Sequence, residues 1–196
     1  MMSLCKYSNN NSFSSNDSST SLSSNDEYNS NHIKKYSKQS IIIEAISTTL
    51  SNIIQDNHKY PYYKSIIKNQ RSSPFHSNNH INISISNLLN RVIKHCQIET
   101  STLVIAIIYL DKIISEQLFL TKYNMFYVLI ASLLLAIKIN EDVIYTNKTY
   151  AKLFGVSLHK LNELEYIMLK TMNYKLTVKT QEYEMFYNEL IRFYEI

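Results

Sequence analysis

Three features of this sequence predict an all-α protein. From Ile41 onward, apolar residues recur at helical spacing. Two segments, "STLVIAIIYLDKII" and "MFYVLIASLLLAIKI", are apolar nearly all the way round, which in a soluble protein places them at the centre under a cover of other helices. The β signal is confined to "INISIS", which alternates but leads directly into a helix start. With 196 residues, 45% of them hydrophobic, the chain has material for one ordinary domain and a tail.

The tail comes first. Residues 1–40 hold 13 Ser and 7 Asn, half the segment, and few large apolar side chains. Such a segment cannot bury enough surface to offset its ordering entropy, so it is expected to be disordered. The folded unit is expected over residues 41–196. In its first helix Ile42, Ile46, Leu50, Ile53 and Ile54 share a face, and the helix must stop before Pro61. Residues 57–82, rich in His, Asn and Ser and holding both prolines, read as a long connection with little regular structure.

Ile85, Leu88, Leu89, Val92, Ile93 and Cys96 then mark an amphipathic helix. The two apolar helices follow, with Thr121 as the expected N-cap of the second. After a short helix near 147–153, Gly155, the only glycine, suits a left-handed stop, and Ser157 suits the next cap. Leu158, Leu161, Leu164, Met168 and Met172 stripe a helix ending near Met172. Tyr183, Phe186, Tyr187, Leu190 and Tyr194 stripe a last one from about Thr180.

Several chemistries are excluded. One glycine cannot build the phosphate-cradling loops of nucleotide sites, whose backbones need several positions without a Cβ. His76 and His80 are four apart but lie in an Asn/Ser/Pro-rich stretch, not a convincing helix, so no metal is expected. Cys96 continues an apolar stripe and Cys5 lies in the tail, which makes neither a disulfide framework nor a nucleophile and fits a reducing compartment. The carboxylate pairs Glu141/Asp142 and Glu163/Glu165 read as solvated acids. The net charge of +4 is scattered, with small groups at Lys34, Lys35, Lys38 and at Lys59, Lys64, Lys68, Arg71; no nucleic-acid partner is expected. The start "MMSLCKYSNN" lacks an apolar signal core, and Met125–Ile137 falls short of the ~20 residues of a membrane span. A location in the cytoplasm or nucleus is expected, with no membrane, cofactor or small-molecule substrate.

Two charges interrupt the apolar helices, Asp111 in "IIYLDKII" and Lys138 in "LLLAIKINEDV". A buried ion without a partner is costly, so each must reach an opposite charge or water. Physics alone lets Lys138 complement the helix dipole and extend its head to solvent.

At this point the sequence resembles a known family. "SISNLLNRVIKH", "IAIIYLDKII" and the run from "LTKYNMFYVLIASLLLAIKINEDV" through "YAKLFGVSLHKLNELEYIMLKTMNYKLTV" resemble the cyclin box of P-type or U-type cyclins, the group related to fungal phosphate-response cyclins. The likeness covers about residues 41–190, with "YLDK", "LLLAIK", "YAKLFGVS", "LNELE" and "MNY" in the family's order and spacing. It implies a single five-helix cyclin box at about residues 84–172, with an extra N-terminal and a C-terminal helix. It also implies a non-catalytic regulatory subunit that binds a cyclin-dependent protein kinase and presses the kinase C-helix into its active position.

By motif match the kinase-binding residues are Lys138 and Glu165, flanked by the apolar Ile139, Leu169, Tyr174 and Leu176. Leu169 falls one turn after Glu165, so the two can share a face. The resemblance further implies a structural ion pair between Arg91 and Asp111, whose loss would cost about 3–5 kcal/mol if buried. There are departures: the arginine-bearing substrate-docking element of cell-cycle cyclins has no match, "INISI" being the nearest stretch, and Lys112 stands where many relatives carry Arg. The competing expectation is a cyclin-fold transcription or nucleic-acid-associated module, which should show a basic face. Glu141, Asp142, Glu163 and Glu165 beside the implied surface argue against it.

Overall fold

The computed structural model describes residues 37–78, 81, 83–116 and 118–192. Of the tail expected to be disordered over residues 1–40, residues 1–36 lie outside them, as does Tyr194, whereas residues 38–40 belong to the first helix. Eight helices and no strand are found among the described residues. They are α1 (Lys38–His58), α2 (Tyr63–Gln70), α3 (Ile85–Cys96), α4 (Thr100–Glu116), α5 (Met125–Asn140), α6 (Asn147–Phe154), α7 (Leu158–Thr171) and α8 (Thr180–Arg192).

The two all-apolar segments are the central helices, α4 and α5, packed chiefly on each other. From Met125 to Ile137 every α5 residue except Tyr127 is buried. The lone polar group among them, Ser132, donates its hydroxyl to the Val128 carbonyl at 2.9 Å, so its donor is satisfied in the apolar interior. Each fully buried Leu or Ile here contributes about 1.5–3 kcal/mol. Helix α7 lies on α5, α6 on α7, and α1 bridges α3, α4 and α8. Among the described residues no helix is long and apolar enough to cross a membrane.

Local chemistry sets the helix ends. Ser37, Ser84, Thr146 and Ser157 cap α1, α3, α6 and α7, each hydroxyl accepting an N–H from the first turn. The cap at Ser84 ends the alternation of "INISIS". Gly155 sits at φ 71, and the N–H of Val156 reaches Ala151 O at 3.0 Å while that of Gly155 reaches Lys152 O at 3.3 Å. That double closure is a Schellman stop.

Three expectations need correction. The connection over 57–82 contains α2: Tyr63 is buried with Ile66 and Ile67 half-buried on the same side, a stripe hidden in the sequence by the surrounding Asn, Ser and Pro. Thr121 does not cap α5. The capping position falls to Asn124, whose Oδ1 accepts the Thr121 N–H at 2.8 Å while its Nδ2 donates to Phe119 O at 3.0 Å. Leu158 opens α7 at 41% exposed instead of joining its buried stripe, because the first turn overhangs the core.

A candidate partner surface at the junction of α5, α6 and α7

Lys138 lies in the last turn of α5, where the buried run gives out, and is half-buried. Its Nζ stands 2.6 Å from Glu165 Oε1 on α7. The second oxygen, Oε2, accepts from Asn147 Nδ2 at 2.7 Å, and the same amide nitrogen donates to Asn162 Oδ1 at 2.8 Å. One carboxylate thus ties the end of α5, the start of α6 and the middle of α7 together. Side-chain exposures of 28% and 16% leave the pair partly open, so both heads can still meet another molecule.

The end of α5 is pinned from the other side as well. Glu141 Oε1 accepts the Glu99 backbone N–H at 2.9 Å and the Thr102 hydroxyl. A carboxylate is thereby placed at the N-terminus of α4, where unpaired N–H groups and the helix dipole favour it. Asn140 Nδ2 adds bonds to Thr102 Oγ1 at 2.8 Å and Ser101 Oγ at 2.9 Å. The expectation that Glu141, Glu163 and Glu165 are merely solvated is therefore corrected, since Glu163 also pairs with Lys160 at 2.9 Å.

Apolar groups border the pair. Ile139 is 57% and Tyr174 64% exposed, whereas Leu169 and Leu176 are half-buried and rest on the core. Tyr174 is joined to α7 by its N–H, which reaches Leu169 O at 2.9 Å. Asn173 and Tyr174 both have left-handed backbones, φ 50 and 57, a conformation uncommon for a bulky residue and costing about 1–3 kcal/mol. Leu176 is anchored from below by the Tyr109 hydroxyl, which donates to its carbonyl at 2.6 Å. Burial, with Glu182 nearby, pushes that hydroxyl up to about 12, so it stays protonated and donating.

Residues not singled out from sequence also belong to this region. Val143 and Ile144, in the α5–α6 connection, are 67% and 50% exposed. Their signal is an apolar pair outside any helical period, directly after two acids. Asn147, which fixes Glu165, had none.

Arg91 and Asp111 are not brought together. The five ion pairs among the described residues do not include them, and Arg91 Nε and Nη2 are buried without a hydrogen-bond partner. Helix α3 packs mainly on α1 and α6, and Arg91 borders residues of α6, while Asp111 is buried on α4 and has an interaction of its own. Lys112 is not a bystander, as its Nζ meets Glu182 at 3.1 Å and links α4 to α8. Cys96 is a half-buried free thiol, raised by burial and by Glu141, which suits the inert role expected of it. Among the described residues no group of three or more His, Cys, Asp or Glu could hold a metal; His80 lies outside them.

An all-helical box with two buried central helices is the frame the resemblance implied. The family model for cyclins matches residues 3–176. The chain belongs to the cyclin family. It is 29% identical over 168 residues to PHO85 cyclin-like protein psl1 of Schizosaccharomyces pombe, spanning 80% of this chain and 69% of that one. Cyclin-U4-1 of Arabidopsis thaliana is 29% identical over 156 residues, 79% of this chain and 76% of its own. Cyclin-P3-1 of Oryza sativa is 24% identical over 159 residues, 71% and 67%. Both the U-type and the P-type likeness expected from the motifs are thus found.

Proposed function

We propose that this chain is a non-catalytic regulatory subunit of a cyclin-dependent protein kinase, working in the cytoplasm or nucleus. The box would be α3–α7, about residues 84–172, with α1, α2 and α8 packed around it. The observation that carries the reading is the Lys138–Glu165 clasp, held at 2.6 Å and partly open to solvent beside exposed Ile139 and Tyr174. Fixed polar heads next to an apolar rim suit a protein partner more than a small molecule.

In this reading Glu165 accepts from, and Lys138 donates to, the partner's main chain, while Ile139, Leu169, Tyr174 and Leu176 cover apolar residues of the kinase C-helix. The clasp is already assembled, so little side-chain entropy is lost on docking. Activation requires only that this surface bind the active kinase conformation better than the inactive one. The name of the Schizosaccharomyces relative, a PHO85 cyclin-like protein, supports a kinase partner.

The test is retrieval of cyclin-dependent kinases from extract of the source cell with the wild-type chain and with Lys138→Glu, followed by a kinase assay on the eluate. Active kinase with wild type and none with the variant is expected. If neither folded protein retrieves a kinase, the box serves another purpose, and the reading fails.

A further inference from the structure

Outside the clasp, the structure contains a cation with donors to spare. Arg91 Nε and Nη2 are buried from solvent and have no hydrogen-bond partner. A buried guanidinium N–H without a protein partner is uncommon in folded proteins and draws attention to the walls around it. Arg91 forms part of the wall of a cleft of about 490 Å³ between α3 and α6, within the size range of small-ligand sites.

The cleft lining is basic. Arg91 and His95 are four apart on α3 and so share a face; Thr149 and Lys152 are three apart on α6 and share another. The two faces meet across the cleft, with Cys96 and Tyr145 completing that part of the wall. No carboxylate lines it. The nearest acid to act on Cys96, Glu141, is engaged by the Glu99 N–H and the Thr102 hydroxyl.

We infer that the α3/α6 cleft is a binding site for a phosphate group, with Arg91 and Lys152 as its cationic ligands and His95 and Thr149 as further donors. A phosphate monoester carries close to two negative charges and three strong acceptor oxygens, which matches a guanidinium fork, an ammonium and a hydroxyl on opposed walls. A single carboxylate would satisfy Arg91 but leave Lys152 and Thr149 unused. The anion enters at the open side of the cleft, where Thr149 and Lys152 are exposed. The site shares neither Lys138 nor Glu165 and goes beyond the kinase-docking reading.

The experiment is calorimetric titration of the full chain with inorganic phosphate and, separately, with a short phosphoserine peptide, the unphosphorylated peptide serving as control at constant ionic strength. Saturable binding of a phosphate probe is expected, weakened at least tenfold by Arg91→Gln and by Lys152→Gln. It should be unchanged by Lys148→Gln, an exposed lysine of α6 outside the cleft. Binding of inorganic phosphate points to a free anion; binding of the phosphopeptide alone points to a phosphorylated partner segment. Lys152 is exposed, so its variant carries the test even if Arg91→Gln does not fold. No saturation by either probe, or equal weakening by Lys148→Gln, overturns the inference.

Discussion

Lys138 and Glu165, 27 residues apart in sequence, meet at 2.6 Å where α5, α6 and α7 converge. As an internal interaction this partly exposed pair is worth little, about 1 kcal/mol or less. Its position, not its strength, gives it interest, because the same two heads are available to a partner. Lys138→Glu should therefore lower stability by only about 1 kcal/mol. Loss of a charged contact at a docked surface typically costs about 2–5 kcal/mol, so kinase affinity should fall at least about thirtyfold. The swap Lys138→Glu with Glu165→Lys separates the two effects. Thermal melting should return to near wild type while kinase retrieval stays lost. Retrieval by the swapped protein would show that the clasp acts on the fold alone.

Asn147 positions the clasp without being charged. Asn147→Ala removes its bonds to Glu165 Oε2 and Asn162 Oδ1. A stability loss of about 1 kcal/mol is expected, seen as a fall of about 2–4 °C in Tm. Kinase affinity should drop by on the order of tenfold, about 1.4 kcal/mol, because Glu165 is left free to turn. An affinity equal to wild type, measured by titration against the kinase, would remove Asn147 from the surface.

What could be read from sequence follows the range of the interactions involved. Helices α4 and α5 were legible because a segment apolar on every side has only one place to go. Gly155 and Ser157 were legible because their chemistry is local to a turn. Helix α2 was hidden because Tyr63, Ile66 and Ile67 lie within a polar, proline-bearing stretch whose composition outweighs a one-sided stripe of eight residues. Glu141 could not be read, since it caps α4 through contacts 42 and 39 residues distant in sequence. Lys138 and Glu165 came through motif resemblance; periodicity alone left one as a helix-end lysine and the other as a solvated acid. The same resemblance implied an Arg91–Asp111 pair that is not among the ion pairs of the described residues.

Tyr109 links the core to the proposed partner surface, its hydroxyl holding the Leu176 carbonyl at 2.6 Å. Tyr109→Phe leaves that carbonyl without this donor and should cost about 1–2 kcal/mol. The pH dependence has a definite sign. The hydroxyl is raised from 10.0 to about 12 in the folded protein, so the unfolded chain loses this proton first as pH rises. Its stabilising contribution is full below pH 10.0 and is lost as pH climbs towards about 12. In Tyr109→Phe the alkaline decline in stability over that window should be shallower, though still present, because burial also raises Tyr63, Tyr150 and Tyr183. Urea denaturation midpoints from pH 9 to 12 check this, and identical slopes would contradict it.

Gly155 tests backbone conformation in isolation. At φ 71 it needs the left-handed region, yet a Cβ added there would meet nothing within 4 Å. Gly155→Ala should thus cost only the conformational penalty, about 1–2 kcal/mol, with no steric addition. Kinase retrieval should be unchanged, since the Schellman turn sits at the far end of α6 from Asn147. A Tm fall much beyond about 4–8 °C would mean that α6 depends on this stop more than its hydrogen bonds indicate.

Tyr174 sets stability against binding. Its left-handed backbone at φ 57 is strained, and 64% of its surface is exposed, so the fold gains little from the ring. Strain held at an exposed aromatic residue is accounted for if the ring serves a partner. Tyr174→Gly relieves about 1–2 kcal/mol of left-handed cost while giving back about 0.5–1 kcal/mol in unfolded-chain entropy. Stability should therefore stay level or rise by up to about 1.5 kcal/mol. Loss of an aromatic anchor from a docked interface commonly costs more than 2 kcal/mol, so kinase affinity should fall by at least about thirtyfold. Chemical denaturation and kinase titration on the same preparation give both quantities. A variant that is less stable and binds normally would show instead that the ring supports the turn after α7, and Tyr174 would leave the docking set.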